Sequence, residues 1–146
     1  MEESVIFQYF KETFSVVHKD PSTYSPLALA YIGDAIFDVM IRTIEVSKAN
    51  KQVNKYHRDV SRIVCAPAQA KMITGMLPFL TEEETTIYKR GRNANSYSKA
   101  KNASRSEYRM ATGFEAVLGY LYLKEDFRRL TELVDIALKV LEEPEE

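Results

Sequence analysis

The sequence predicts an all-α domain, and three observations carry that reading. Glycine and proline number only five each in 146 residues, too few for a turn-rich β protein. Nearly every long segment places its apolar residues at helical spacing, and no credible pair of strands can be found. Thr81-Glu82-Glu83-Glu84 and Ser104-Arg105-Ser106-Glu107 both have the form of a capping box, the hydroxyl-to-glutamate pattern that opens a helix. The length fits one domain over residues 1–146, and an apolar share of 45% supplies its core, at about 25–140.

The elements follow in order, about seven helices in all. Residues 4–17 form a first helix with Val5, Ile6, Tyr9, Phe10 and Phe14 along one side, and Lys19 to Tyr24 form a loop. Ser25-Pro26 supplies a capping hydroxyl and a proline at the first helical position, starting a helix over 26–46. A third helix covers 52–64, and Pro67 marks the restart of a fourth that ends near Gly75 to Pro78. The Thr81 box opens a fifth that frays from Gly91 to Asn95. Residues 93–103 are small and polar, an exposed loop, before helices over 105–124 and 126–142.

Charge and cysteine content narrow the function. Twenty basic residues against 21 acidic ones leave a net charge of −1, which excludes a globally basic nucleic-acid binder but not a locally basic one. One cysteine, Cys65, can form no internal disulfide and fits a reducing compartment; its expected role is to fill space beside Val64 and Ala66. With an acidic start and no uncharged stretch of about 18 residues, the chain reads as soluble and cytoplasmic.

Two helices break the ordinary pattern. From Leu27 to Ile41 the second is apolar all round, the mark of a buried central helix, yet it carries Asp34 and Asp38. The sixth, from Ala111 to Leu123, is equally apolar and carries only Glu115. A buried carboxylate must be paired, protonated or bound to a cation. Gly33 and Gly119 would let the two helices approach closely, and a hard divalent ion between Asp34 and Glu115 would relieve their repulsion. Such a site suits phosphodiester hydrolysis. The residues alone leave a second reading open, in which each acid meets an arginine such as Arg62 or Arg109. Asp38, one turn from Asp34, reads as structural.

A second departure is electrostatic. Lys89, Arg90, Arg92, Lys99, Lys101, Arg105 and Arg109 stand against Glu107 alone, a local +6 that leaves −7 for the remainder. This segregation points to a polyanion-binding face. Asn93, Asn95, Ser96, Ser98, Asn102 and Ser104 add donors suited to phosphate and ribose, with Tyr88, Tyr97 and Tyr108 interleaved. His18 and His57 are too few for a histidine-rich metal site, and Ser61 and Ser106 lack triad partners.

Ala30 to Phe37 (Ala-Tyr-Ile-Gly-Asp-Ala-Ile-Phe) resembles the signature helix of the ribonuclease III catalytic domain, and Phe114 to Leu123 resembles that family's second metal-ligand helix. The order and separation also match, over roughly residues 25–140. Leu27 to Asp34, Lys89 to Ala94 and Tyr108 to Glu115 look like the short Mini-III subclass, which lacks the double-stranded-RNA-binding domain; the chain, stopping at Glu146, leaves no room for one.

By this resemblance Asp34 and Glu115 are the catalytic metal ligands, for Mg²⁺ with Mn²⁺ as a substitute. Three further acidic positions of the full-length enzymes are here Leu27, Ala30 and Thr112, which implies more water around the metal. The resemblance further implies a homodimer that cuts both strands of duplex RNA, leaving 5′-phosphates, and matures both ends of the 23S ribosomal RNA precursor. It leaves room for a ribosomal-protein helper that presents the substrate. Lys89, Arg90, Arg92, Asn93, Lys99, Lys101 and Arg105 would grip the RNA backbone. Two alternatives stay open: a catalytically inactive module of the same fold that binds ribosomal RNA, and a helical protein-interaction domain.

Overall fold

Three hydroxyl-bearing residues fix where the central helices begin. In the computed structural model, which describes residues 2–17, 19–94 and 104–144, Ser25 Oγ accepts from the Ala28 N–H at 3.1 Å and α2 runs Pro26–Lys48. Both capping boxes are closed in both directions. Thr81 Oγ1 accepts from the Glu84 N–H at 3.1 Å while Glu84 Oε1 accepts from the Thr81 N–H at 2.9 Å, opening α5 (Glu82–Asn93). Ser104 and Glu107 do the same for α6 (Arg105–Leu123), at 3.0 and 3.1 Å. Each box satisfies backbone donors that the first helical turn would otherwise leave unpaired. The remaining helices are α1 (Glu2–Thr13), α3 (Val53–Val64), α4 (Ala66–Met76) and α7 (Phe127–Glu142), and no strand occurs among the described residues. Nor is any described helix long and apolar enough to cross a membrane.

The boundaries differ from expectation in two places. Helix α1 stops at Thr13 rather than 17, because Ser15 takes a left-handed φ of 53° and the Val16 N–H turns back to the Lys11 carbonyl at 2.8 Å. The segment expected as a plain loop before Ser25 contains a 3-10 turn over Pro21–Thr23, capped by Asp20, whose carboxylate accepts from the Ser22 N–H at 3.0 Å. Cys65 is also not the space-filler expected of it. It is exposed at the sharp α3–α4 junction, its thiol directed at the Arg62 carbonyl at 3.6 Å.

Helix α6 is the centre of the domain. Every residue from Ala111 to Leu121 is buried except Glu115, which is partly buried, and α2, α4, α5 and α7 pack around it. Phe37 of α2 and Phe114 of α6, both fully buried, meet edge to face with ring centroids 5.2 Å apart. Helix α2, expected to be buried all round, is not. Leu29, Gly33, Phe37 and Ile41 face the core, while Leu27, Tyr31, Asp34 and Val39 lie exposed on the other side.

The α2–α6 contact is made by backbone. A Cβ on Gly33 would stand 1.8 Å from the Glu115 carbonyl oxygen, and one on Gly119 would stand 1.9 Å from the Leu29 carbonyl oxygen. No side chain fits at either position, so the helices touch main chain to main chain at that level. At the far end, Arg129 of α7 holds the buried Glu84 by two hydrogen bonds, at 2.8 and 2.9 Å, and also donates to the Phe79 carbonyl. This fork ties α5 to α7 across one end of α6.

Gly33→Ala and Gly119→Ala should each force the two helices apart and cost about 3 kcal/mol, the upper part of the overpacking range, because rigid backbone must move. Chemical denaturation midpoints of the purified variants measure this. A loss no larger than that of an exposed helical Gly→Ala change would contradict the main-chain contact.

Candidate active site

Gly33 precedes Asp34, and the carbonyl that Gly33 packs against belongs to Glu115, so the close approach of α2 and α6 brings these two acids together. The carboxyl of Asp34 stands within hydrogen-bonding reach of that of Glu115. Asp34 is exposed and Glu115 partly buried, so the pair sits at the rim of the core rather than inside it, open on the Asp34 side.

Neither acid forms an ion pair with a cationic side chain among the described residues. The arginines that could have neutralised them are elsewhere: Arg62 pairs with Asp59 at 3.5 Å, and Arg109 lines a different pocket. Asp38, expected to be structural, pairs with Arg42 one turn along at 2.8 Å. Thr112, buried three residues before Glu115, donates its hydroxyl to the Tyr108 carbonyl at 3.0 Å.

The electrostatic consequence falls on Glu115. Burial first, then the hydrogen bond and negative charge of Asp34, push its carboxyl up to about 9, while a hydrogen bond from Gln69 pulls weakly the other way. A carboxyl this unwilling to ionise, beside a second carboxylate, is the donor set that a hard divalent cation relieves. Among the described residues no group of three or more acid, histidine or cysteine side chains is arranged to hold a metal ion, and the donors at this site are the two carboxyls of Asp34 and Glu115. Mg²⁺ is commonly held in this way, by one or two carboxylates with water completing the octahedron.

Gln69 of α4 closes the inner wall and was not singled out from the sequence. It is 1% exposed, and its Nε2 lies 2.9 Å from the Val64 carbonyl oxygen and 3.5 Å from Glu115 Oε2. Its Oε1 is buried with no partner, a loss of about 1–3 kcal/mol for an ordinary core amide. The one polar residue in the run Ala66-Pro67-Ala68-Gln69-Ala70 was the available signal.

The basic segment divides on inspection. Lys89, Asn93 and Arg105 are exposed. Arg92 lies over the Tyr88 ring at 5.6 Å and, with Asn93, Arg105, Ser106, Arg109 and Met110, lines an open pocket of about 320 Å³ where α5 ends and α6 begins. That pocket precedes Glu115 on α6 by about 8–15 Å of helix axis. Arg90 donates to the Ser22 and Tyr24 carbonyls at 3.2 and 3.3 Å and so braces the turn before α2. Tyr88 is buried against Gly113 and belongs to the core. Of the loop expected over 93–103, Asn93 instead ends α5, and residues 95–103, with Tyr97, Lys99 and Lys101, lie outside the described residues.

The domain is all-α, centred on one buried helix, with a carboxylate pair where that helix meets a second, and comparison with known proteins gives it a family. The model of the Ribonuclease III domain matches residues 27–126, and the chain belongs to the ribonuclease III family of endoribonucleases. Among its relatives are the Mini-ribonuclease 3 of Clostridium tetani, 47% identical over 127 residues that cover 86% of this chain and 83% of that one, and the Mini-ribonuclease 3 of Thermoanaerobacter, 40% identical over 143 residues that cover 98% and 100%. The crystal structure of protein FN1578 from Fusobacterium nucleatum superposes with a TM-score of 0.75 at 30% identity, covering 83% of this chain and 93% of that one.

Because the Glu115 carboxyl is raised in the metal-free fold, its contribution to stability is complete below the unfolded value near 4.5 and is lost as pH rises toward about 9. Unfolding free energy in chelator should therefore decline with pH through this window. Glu115→Gln should flatten the decline. An equal slope in both proteins would remove Glu115 as its source.

Proposed function

We propose that this protein is a Mg²⁺-dependent endoribonuclease that cleaves double-stranded RNA as a homodimer, and that the 23S ribosomal RNA precursor is its substrate. The observation that carries the reading is the Asp34–Glu115 pair, two carboxyls in mutual contact with no neutralising cationic side chain beside them. The Mini-ribonuclease 3 names of relatives 40–47% identical support the substrate class and the subclass.

The side chains have distinct tasks. Asp34 and Glu115 would be the protein ligands, one on each helix, so the spacing of the site is set by the glycine contact beneath it. A bound Mg²⁺ supplies charge neutralisation at a phosphodiester and a water of lowered pKa at neutral pH. Exposed Lys89 and Arg105, with Arg92 and Arg109 at the pocket between α5 and α6, would hold phosphates flanking the scissile bond. Duplex RNA is bound chiefly through backbone and 2′-hydroxyls, so a positive face of this kind serves without reading base edges.

The dimer has its own support. Tyr31 is 82% exposed and Leu27 40% exposed on the same face of α2 as Asp34, an apolar surface beside the site that a second copy would cover. Two sites related by a two-fold axis would address the two strands of one duplex.

The deciding experiment incubates the purified protein with a duplex containing the base-paired ends of the 23S precursor, with Mg²⁺ or with chelator. Specific cleavage should occur only with Mg²⁺, leaving 5′-phosphates. Asp34→Asn should remain folded and dimeric by sedimentation while cleavage falls by at least about 10³-fold. Undiminished cleavage by that variant, or cleavage in chelator, would overturn the proposal.

A further inference from the structure

Gln69 is difficult to account for as a packing residue. Its amide is sealed in the α3–α4 junction at 1% exposure, with one oxygen left unpartnered. An apolar side chain of similar size would remove the unpaired Oε1 but would leave the Val64 carbonyl without its 2.9 Å donor, so the residue does more than fill space. The orientation of the amide is dictated by its surroundings. The two oxygens it faces, the Val64 carbonyl at 2.9 Å and Glu115 Oε2 at 3.5 Å, both accept, so nitrogen must point toward them and Oε1 away. The Val64 carbonyl belongs to the last residue of α3, where no following turn supplies a donor, and Gln69 bonds it from α4. Gln69 therefore reaches from the end of α3 to one oxygen of a carboxylate whose partner across the site is Asp34.

We propose that Gln69 is a positioning residue for the cation site: its amide steadies Oε2 of Glu115 from the core side, so that the carboxylate is presented toward Asp34 and a divalent cation. The inference rests on the metal-dependent reading above. A neutral donor suits the task, because a lysine or arginine in its place would neutralise Glu115 and repel the cation, whereas an amide orients the carboxylate and leaves its charge intact. The distance of 3.5 Å is loose for a hydrogen bond, and it should tighten when Glu115 is held from its other side. Residues that orient metal ligands typically affect metal affinity by about 10–100-fold when removed.

The test titrates Mg²⁺ alone into the full-length wild-type protein and into Gln69→Leu and Asp34→Asn by calorimetry, alongside melting temperatures in chelator. Gln69→Leu should weaken Mg²⁺ binding by about 10-fold, beyond the modest lowering of its chelator melting temperature that loss of the Val64 hydrogen bond brings. Its cleavage should need correspondingly more Mg²⁺ for half-maximal rate and then reach nearly the wild-type maximum. A purely structural glutamine would show the reverse, a lowered melting temperature with unchanged Mg²⁺ affinity. As a second measurement, on the wild-type protein itself, the Gln69 side-chain amide resonances should shift when Mg²⁺ is added. Wild-type affinity in Gln69→Leu while Asp34→Asn loses binding would overturn the role of Gln69 alone, as would amide resonances indifferent to Mg²⁺. A wild-type protein that binds no Mg²⁺ would overturn the metal reading and this inference together.

Discussion

The main-chain contact between Gly33 and Gly119 is the constraint on which the candidate site depends. With side chains between them, packed helices stand roughly 8–10 Å apart axis to axis, and acids flanking the crossing would be held further apart. Here each glycine lies where a Cβ would collide with a carbonyl of the other helix. The acids then follow from position in the chain, Asp34 beside one contact residue and Glu115 one turn before the other. Fold stability and site geometry thus share one interface, which leaves little room to change either alone.

That interface brings an electrostatic cost, concentrated at one residue. Burial and the neighbouring carboxylate raise Glu115 far above an ordinary glutamate, while the hydrogen-bonding help it receives from the core among the described residues is the long contact to Gln69. Elsewhere the domain pairs its buried acids. Glu84 is gripped by Arg129, and Glu45 meets Lys48 and Lys51. Burial pushes Glu84 upward too, yet the bonds from Arg129 and Thr81 outweigh it and hold its carboxyl below the usual value. Against two acids treated in that way, the unneutralised Asp34–Glu115 pair stands out as the place where the fold carries an uncompensated electrostatic cost.

Much of this was legible in the residues. Ser25-Pro26, the Thr81 box and the Ser104 box each mark a helix start because their chemistry is local and complete within four residues. Asp34 and Glu115 stood out as charges in otherwise apolar helices, and the two glycines pointed to a close crossing. The features that escaped depend on tertiary neighbours. Helix α2 is as apolar on its outer face as on its inner one, so periodicity could not separate Leu29 at 0% exposure from Tyr31 at 82%. Cys65 looked like core by composition, but the extended backbone between α3 and α4 turns it outward. Arg90 belongs to a basic run in sequence and to the brace of the turn before α2 in space. Gln69 acquires meaning only from Glu115, 46 residues away.

The central claim, that Asp34 and Glu115 together hold one hard cation, is tested most directly by diffraction from crystals soaked in Mn²⁺, recorded where manganese scatters anomalously. The account predicts a peak within coordination distance of an oxygen from each of the two side chains. A cation bound elsewhere on the molecule, with these carboxyls turned away from each other, would contradict it.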